Sequence, residues 1–310
     1  MSEQSAKGPI VGIEPWLPWP LSAWGWWTEP VRAERLALLR IGVALCLVLD
    51  IAINYAPNTL FFFGKDGLGD PRVVAWQFES SVRWSLLRGV ADWPGGDTLI
   101  ALAMCSWLAT AGLLLFGCAT SFSAVAAWLL SLSFANANPH LDNSGDTIRL
   151  ILLFYLVLCP CGAVWSLDAW IDQRTENNPE PTYVYPWAIR LIFVQLMLIY
   201  FTNGVSKLLG PQWRDGTALN YVLGDVTLTR FSHAAWPLPF ELSRLLTWLV
   251  LAWELSFPLL MIWKWPRRVA LSIGVMFHLA IFATMELAAF SPYALCLYLP
   301  LVPFEDDSND

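Results

Sequence analysis

Long apolar stretches separated by short polar breaks dominate the chain from residue 36 to residue 302. An apolar stretch of about 20 residues crosses a bilayer as a helix, because a helix satisfies its own backbone hydrogen bonds in lipid. Residues 98–138 carry no charged side chain and are long enough for two helices joined by a turn at residues 117–121. We therefore predict an all-α polytopic membrane bundle with about eight transmembrane segments. The predicted segments are residues 36–55, two within 98–138, 150–167, 187–208, 245–263, 267–285 and 291–302.

The composition of the chain is that of a membrane protein. Its 310 residues are 56% hydrophobic and only 14% charged, with 19 tryptophans, which is too apolar for a soluble domain. The Trp- and Pro-rich residues 1–31 predict an interfacial segment, since indole rings favour the headgroup level. Residues 32–304 form the predicted transmembrane domain and residues 305–310 an acidic tail. The acidic tail partly sets the net charge of -7, and no basic patch with interleaved aromatic residues appears, so we exclude nucleic acid as a partner.

The six cysteines do not have the spacing of a zinc site or of a disulfide framework. Four lie inside apolar stretches, and Cys159 and Cys161 flank Pro160 at the end of another. We interpret all six as buried thiols and expect no metal.

One predicted helix, residues 187–208, becomes polar near its end. Tyr200, Asn203, Ser206 and Lys207 fall on one side of it, so that side should not face lipid. A lysine desolvated among apolar neighbours becomes a usable base near neutral pH. The alternative is a lysine that snorkels to the lipid–water boundary.

Two further charged positions lie on earlier helices. Asp50 follows Arg40 by ten residues, which places the two about 15 Å apart along the helix axis, so they cannot pair directly. A buried carboxylate at Asp50 therefore implies a partner on another helix. Asp146 can cap the helix that follows it, and Arg149 lies three residues later on the same face.

Four ionisable residues stand at predicted membrane depth: Asp50, Lys207, Glu254 and His278. Each is unfavourable in lipid, so we expect all four to point inward and at least three to line one cavity. Glu254 alone could equally be a structural ion-pair partner, and His278 alone could be a core histidine. Together with Lys207 they form a plausible acid–base set, because different surroundings let such groups hold different protonation states.

Two connections add to this prediction. The glycine-rich residues 60–73 are suited to a gate that packs over the cavity near residues 213–216. Three basic residues within 264–268 indicate that this connection faces the cytoplasm.

Several stretches, in the same order, resemble the HTTM (horizontally transferred transmembrane) domain family, which includes the vitamin K-dependent gamma-carboxylase. The resemblance covers almost the whole chain, residues 32–303. It rests on LFFFGKDGLGDPRV at residues 60–73, NSGDTIRLILLFYLVLCPCGAVWSLD at 143–168, YFTNGVSKLLGPQWRDGTAL at 200–219, AWELSFPLL at 252–260 and FHLAIFATMELAAF at 277–290.

The resemblance implies a reaction. The lysine that matches Lys207 is the base that deprotonates reduced vitamin K, and a family histidine matches His278. The implied cofactor or substrate is reduced vitamin K, another quinol or a lipid-like molecule, with chemistry of the epoxidation or carboxylation type. The implied partners are membrane lipid and a peptide or protein substrate, and the implied location is a bacterial cell membrane.

Two hypotheses follow. In the first, the chain is an intramembrane enzyme of carboxylase or epoxidase type. In the second, it is a non-catalytic accessory or maturation factor, or a transporter, whose buried charges form a structural network. The lack of a visible inverted repeat disfavours a transporter. For the enzyme, the expected catalytic residues are Lys207, Glu254 and His278, and the expected substrate-binding residues are Tyr200, Asn203, Trp213, Asp50, Asp146 and Arg149.

Overall fold

The described part of the chain is almost entirely helical. The computed structural model describes residues 27–68, 83–173, 182–231 and 238–302. The tryptophans before residue 27, residues 69–73 of the glycine-rich loop and the acidic tail lie outside the described residues. The helices are α1 Glu34–Asp50, α2 Thr59–Phe63, α3 Gly96–Phe116, α4 Thr120–Ala137, α5 Ser144–Leu158, α6 Leu167–Gln173, α7 Trp187–Leu209, α8 Pro211–Arg214, α9 Ala218–Gly224, α10 Phe240–Leu260, α11 Lys264–Thr284 and α12 Phe290–Cys296, and the strands are β1 Val31–Arg32 and β2 Tyr183–Val184.

Six helical spans of the described residues are long and apolar enough to cross a membrane, which confirms the all-α polytopic bundle. They are Glu34–Phe63, α3, α4, α7, α10 and α11. The other two predicted segments are shorter. α5 has 15 residues because it begins at a capping box of Asn143 and Asp146 and ends before Pro160. The last predicted segment is a short apolar helix over Phe290–Leu301.

The first span is longer than the sequence predicts. A π-helical turn at Ile51–Tyr55 and a 3-10 turn at Ala56–Asn58 continue α1 into α2. The whole span, Glu34–Phe63, has 30 residues. The π turn begins directly after Asp50, and such turns inside helices are frequent at functional sites.

A small antiparallel sheet fixes the directions of α1 and α7. Val31 of β1 pairs with Val184 of β2, and each strand directly precedes one of these helices. The two helices therefore begin at the same end of the bundle, which we call the strand end. Both end at the opposite end, which we call the lysine end because it holds Lys207.

The glycine-rich loop starts at the lysine end, on the same side as residues 213–216. Its described part packs against the start of α3, where the backbone N–H of Lys65 donates to Asp97. The amide of Asn138 also donates to the carbonyl of Phe62. Its role as a gate stays a prediction.

The predicted hairpin of two helices within residues 98–138 is confirmed. Gly117 ends α3 at a φ of 66° and Ala119 precedes α4 at a φ of 45°, so the chain reverses through two left-handed residues. Asp168 of α6 caps α4 from outside. Its carboxylate accepts hydrogen bonds from the backbone N–H groups of Ala119 and Thr120 and from the Thr120 hydroxyl.

Asp168→Ala should lower the free energy of unfolding by about 1 kcal/mol, the usual loss when a helix cap is removed. Burial opposes ionisation of Asp168, but the hydrogen bonds from Thr120 and Ala119 outweigh it and hold its pKa below the usual value. A lowered folded-state pKa gives stabilisation that is complete above the unfolded pKa of about 4 and lost as pH falls through the folded pKa. Thermal melts of both proteins in nanodiscs should therefore differ at pH 7 and converge in strong acid. Equal melting temperatures at pH 7 would contradict the cap.

Candidate functional site

Close packing of α7 against α10 builds the site. Gly204 makes this approach possible, since a Cβ atom at that position would lie 3.0 Å from the backbone nitrogen of Leu255. The two helices are antiparallel, because α7 ends and α10 begins at the lysine end. One turn after Gly204, the side chain of Lys207 reaches across to α10.

Lys207 forms an ion pair with Glu254. The sequence analysis places both residues at membrane depth. Lys207 Nζ lies 2.5 Å from Glu254 Oε1, and the two side chains are 24% and 3% exposed. The ammonium also lies 4.7 Å from the ring centre of Trp213, a cation–π contact. The carboxylate is therefore shielded while the amine remains within reach of a molecule at the surface of the bundle.

Glu254 keeps one oxygen free. Its Oε2 atom is buried and has no hydrogen-bond partner within the described part of the chain. Buried polar atoms are normally satisfied, so an unpartnered carboxylate oxygen calls for an explanation such as a water or a ligand.

Three side chains, from α7, α11 and the turn after α12, form a hydrogen-bonded chain beside this pair. The Tyr200 hydroxyl lies 2.8 Å from His278 Nε2 and also bonds the Tyr298 hydroxyl. Gly274 provides the space for Tyr298, because a Cβ atom there would lie 2.1 Å from the Tyr298 hydroxyl oxygen. His278 Nδ1 is buried and unpartnered among the described residues. His278 is thus held by Tyr200 with its second nitrogen free.

Tyr200 also joins the lysine pair to the histidine through packing. Its ring contacts Trp253 at 4.5 Å and Phe257 at 4.4 Å between ring centres. Trp253 is the neighbour of Glu254 on α10. Lys207, Glu254 and His278 are therefore arranged around one tyrosine inside an aromatic shell. The expectation that at least three of the ionisable residues line one cavity stays a prediction.

Asn203 and Ser206 do not join this buried group. Both side chains are exposed. At this level of α7 the residue that faces α10 is Gly204, and Asn203 and Ser206 lie beside that buried face. The predicted roles of Asn203 and Trp213 in substrate binding stay predictions. Of these two residues, Trp213 contacts Lys207.

Asp50 belongs to a second polar cluster. Arg149 Nη1 lies 3.1 Å from Asp50 Oδ2 and 2.8 Å from Asp146 Oδ1, and all three side chains are buried. The hydroxyls of Tyr293 and Tyr55 donate to Asp50 and Asp146, respectively. The expected partner of Asp50 on another helix is thus Arg149, and Asp50 does not stand beside Lys207.

α12 separates the two clusters and touches both. The ring of Phe290 lies 5.6 Å from the His278 ring, and the Phe290 Cα would lie 2.9 Å from a Cβ atom at Gly145. Tyr293 of α12 donates a hydrogen bond to Asp50. Tyr298, which lies two residues beyond α12, forms a hydrogen bond with Tyr200. In the sequence, only their place in a short apolar segment distinguishes these two tyrosines, so their roles could not be predicted.

Tyr200→Phe should destabilise the protein by about 1–3 kcal/mol, because it leaves His278 Nε2 and the Tyr298 hydroxyl unpartnered in a buried position. Tyr298→Phe is the matched control, since it removes one bond and leaves the Tyr200–His278 bond in place. Thermal melts should rank wild type above Tyr298→Phe and Tyr298→Phe above Tyr200→Phe. The reverse order of the two variants would argue against Tyr200 as the centre of the chain.

Apolar spans around two buried clusters of ionisable side chains define an integral membrane protein with a polar interior. The sequence profile of the HTTM domain matches residues 28–306, and the chain belongs to the HTTM domain family. The sporulation-delaying protein SdpB of Bacillus subtilis (strain 168) is similar to it, with 24% identity over 263 residues that cover 77% of this chain and 71% of that protein. No solved structure matches the chain.

Proposed function

We propose that this protein is an intramembrane enzyme in which Lys207 accepts a proton from a hydroxyl of a quinol or lipid-like substrate. The observation that supports this most strongly is the uneven burial of its ion pair. Glu254 is almost fully buried, whereas about a quarter of the Lys207 side chain remains exposed. An amine at the edge of a shielded site can meet a substrate from the lipid, and its carboxylate partner stays protected from water.

The pair can supply a base without a net charge. Lys207 Nζ and Glu254 Oε1 are 2.5 Å apart, so a proton can pass from the ammonium to the carboxylate. Transfer leaves Nζ as a neutral amine, which can then take the proton of a nearby hydroxyl. Glu254 acts in this step as a proton acceptor for the lysine, and the surrounding aromatic residues exclude water.

Three unpartnered buried atoms of the described residues support a quinol as the substrate. Besides Glu254 Oε2 and His278 Nδ1, the Trp253 Nε1 atom is buried and unpartnered within the described ranges. A flat ring with two hydroxyl groups complements such atoms between aromatic side chains. Lys207 and Glu254 would hold one hydroxyl, and Trp213 and Trp253 would pack against the ring. When bound, a quinol supplies an acidic hydroxyl and an electron-rich ring that reacts with oxygen.

The reaction class that we propose is therefore epoxidation or carboxylation driven by quinol oxidation, with a peptide or protein as a further substrate. The family resemblance motivates this class, and the lysine, carboxyl and histidine set supports it. His278, bonded through Nε2 to Tyr200, would serve as a hydrogen-bond partner of the substrate through its free Nδ1.

A non-catalytic accessory or maturation role is the second candidate. The ion pair itself favours it, because Lys207 and Glu254 satisfy each other directly and such a pair can be purely structural. In that case the function of the protein would depend on the positive charge at Lys207 and not on the ability of Lys207 to accept a proton.

Oxygen uptake tests the enzyme proposal. Purified protein in lipid nanodiscs, supplied with a reduced naphthoquinone as probe, should consume oxygen faster than empty nanodiscs. Lys264→Met is the matched control, since Lys264 is an exposed lysine at the start of α11, away from the site and from the glycine-rich loop, and its loss should leave the rate unchanged. Uptake equal to that of empty nanodiscs, with and without a glutamate-containing peptide, would refute the proposal.

A further inference from the structure

Arg40 is a buried cation that forms no ion pair within the described part of the chain. Its side chain lies on α1 near the strand end and is fully buried. Nη2 donates to the carbonyl of Trp165, but Nε and Nη1 have no partner among the described residues. An unpaired charge in such a position is strongly unfavourable, so a counter-charge is expected nearby.

The loop that Arg40 reaches into begins with the Cys-Pro-Cys sequence. The backbone N–H of Cys161 donates to the carbonyl of Cys159 over 2.8 Å, which makes a tight turn at Pro160. The Sγ atoms of Cys159 and Cys161 lie 4.0 Å and 3.5 Å from the same acceptor, the Leu156 carbonyl oxygen. The turn therefore brings two thiols side by side, and Pro160 is exposed while both cysteines lie just beneath it.

The same loop is pressed against the turn between α3 and α4. A Cβ atom at Gly117 would lie 2.3 Å from Arg40 Nη1, and one at Gly162 would lie 2.6 Å from the Thr120 hydroxyl oxygen. This close packing holds Arg40 at the Gly117 turn, where the charges of Cys161 and Asp168 both act on its guanidinium group. A hydrogen bond from Cys159, and then the positive charge of Arg40, lower the pKa of the Cys161 thiol against the opposing effects of burial and of the Asp168 carboxylate.

We propose that Cys159 and Cys161 form a redox-active dithiol, with Cys161 as the attacking thiolate, Arg40 as its counter-ion and a low-molecular-weight disulfide as the co-reactant. This site is separate from the one at Lys207 and does not depend on the proposed function. A small co-reactant is required because the two sulfur atoms lie beneath Pro160.

The exchange has two steps. The Cys161 thiolate attacks one sulfur of the incoming disulfide, forms a mixed disulfide and releases the other sulfur as a thiolate. The Cys159 thiol then passes its proton to a released thiolate, and its sulfur attacks Cys161 and expels the second half of the co-reactant. The Cys159–Cys161 pair loses two electrons and becomes a disulfide. The incoming disulfide is reduced to one thiol and one thiolate, and the thiolate takes a proton from water in place of the one that Cys161 lost when it ionised.

Glutathione redox buffers test the pair directly. The full-length protein in nanodiscs, equilibrated over a range of reduced to oxidised glutathione, should form the Cys159–Cys161 disulfide reversibly, as mass spectrometry of the peptide that carries both residues would show. In Cys159→Ser, a glutathione adduct should accumulate on Cys161. In Cys161→Ser, Cys159 should gain none. A pair that stays reduced at every ratio, or an adduct on Cys159 in Cys161→Ser, would overturn the proposal.

Iodoacetamide labelling tests the role of Arg40. Arg40→Met should slow labelling of reduced Cys161 about tenfold at neutral pH and move its pH profile upward, because the thiolate loses its counter-ion. Arg40→Lys should restore most of the rate. Labelling of Cys161 at the wild-type rate in Arg40→Met would refute the counter-ion. If Arg40→Met does not fold, the Arg40→Lys profile and the glutathione titration of the wild type decide the question.

Discussion

Lys207→Met should abolish turnover while the bundle stays folded. Methionine has a similar length and fills the same space against Trp213, but it cannot accept a proton. A general base contributes roughly 10²–10⁴-fold to a rate, so oxygen uptake should fall by a factor of that order. Glu254 loses its partner in this variant, and a buried carboxyl without a cation takes up a proton and stays neutral.

The combined variant Lys207→Met with Glu254→Gln is the control for this last step. It removes both charges, so any stability lost through an unpaired Glu254 should return, whereas activity should not. The accessory hypothesis predicts a different pattern, in which Lys207→Met alone unfolds the protein and the combined variant restores function as well as stability. Thermal melts and oxygen uptake on the same preparations distinguish these outcomes.

Arg149→Met should have the largest effect on stability. It leaves Asp50 and Asp146 buried without their shared cation, and removal of one partner from a buried ion pair costs about 3–5 kcal/mol. A loss of that size is a large part of the stability of a typical domain, about 5–15 kcal/mol. We expect a much lower melting temperature and poor recovery from the membrane.

Arg83→Met is the matched control for Arg149→Met. Arg83 also pairs with an aspartate, Asp142, at 2.7 Å, but the two side chains are 41% and 37% exposed. Exposed pairs contribute about 0–1 kcal/mol, so this variant should melt close to wild type. Arg149→Met with Asp50→Asn and Asp146→Asn should recover part of the loss. An Arg149→Met protein as stable as the Arg83→Met control would show that the cluster is not buried as described.

The sequence predicted those features that depend on the cost of charge in lipid. The uncharged residues 98–138 predicted a helical hairpin, and Lys207, Glu254 and His278 were expected to face inward together. The spacing of Asp146 and Arg149 predicted an ion pair, and the structure has one at 2.8 Å. In each case one physical constraint, the exclusion of charge from an apolar phase, was sufficient.

Features that depend on how helices meet could not be predicted. Tyr293 and Tyr298 lie in a short apolar segment, and only the tertiary fold brings them to Asp50 and Tyr200. Helical periodicity placed Asn203 with Tyr200 and Lys207, but the close contact at Gly204 sets the buried face and leaves Asn203 exposed. A single sequence also gave no means to decide which helix supplies the partner of Asp50.

Lys207→Arg separates a base from a structural charge more directly than any other variant. Arginine keeps the positive charge beside Glu254 and Trp213, but its guanidinium stays protonated and cannot accept a proton. We would measure oxygen uptake with a reduced naphthoquinone, together with thermal stability, for wild type, Lys207→Arg and Lys207→Met in nanodiscs. The enzyme proposal predicts a folded Lys207→Arg protein with uptake no higher than that of Lys207→Met. A Lys207→Arg protein that consumes oxygen at the wild-type rate would contradict it.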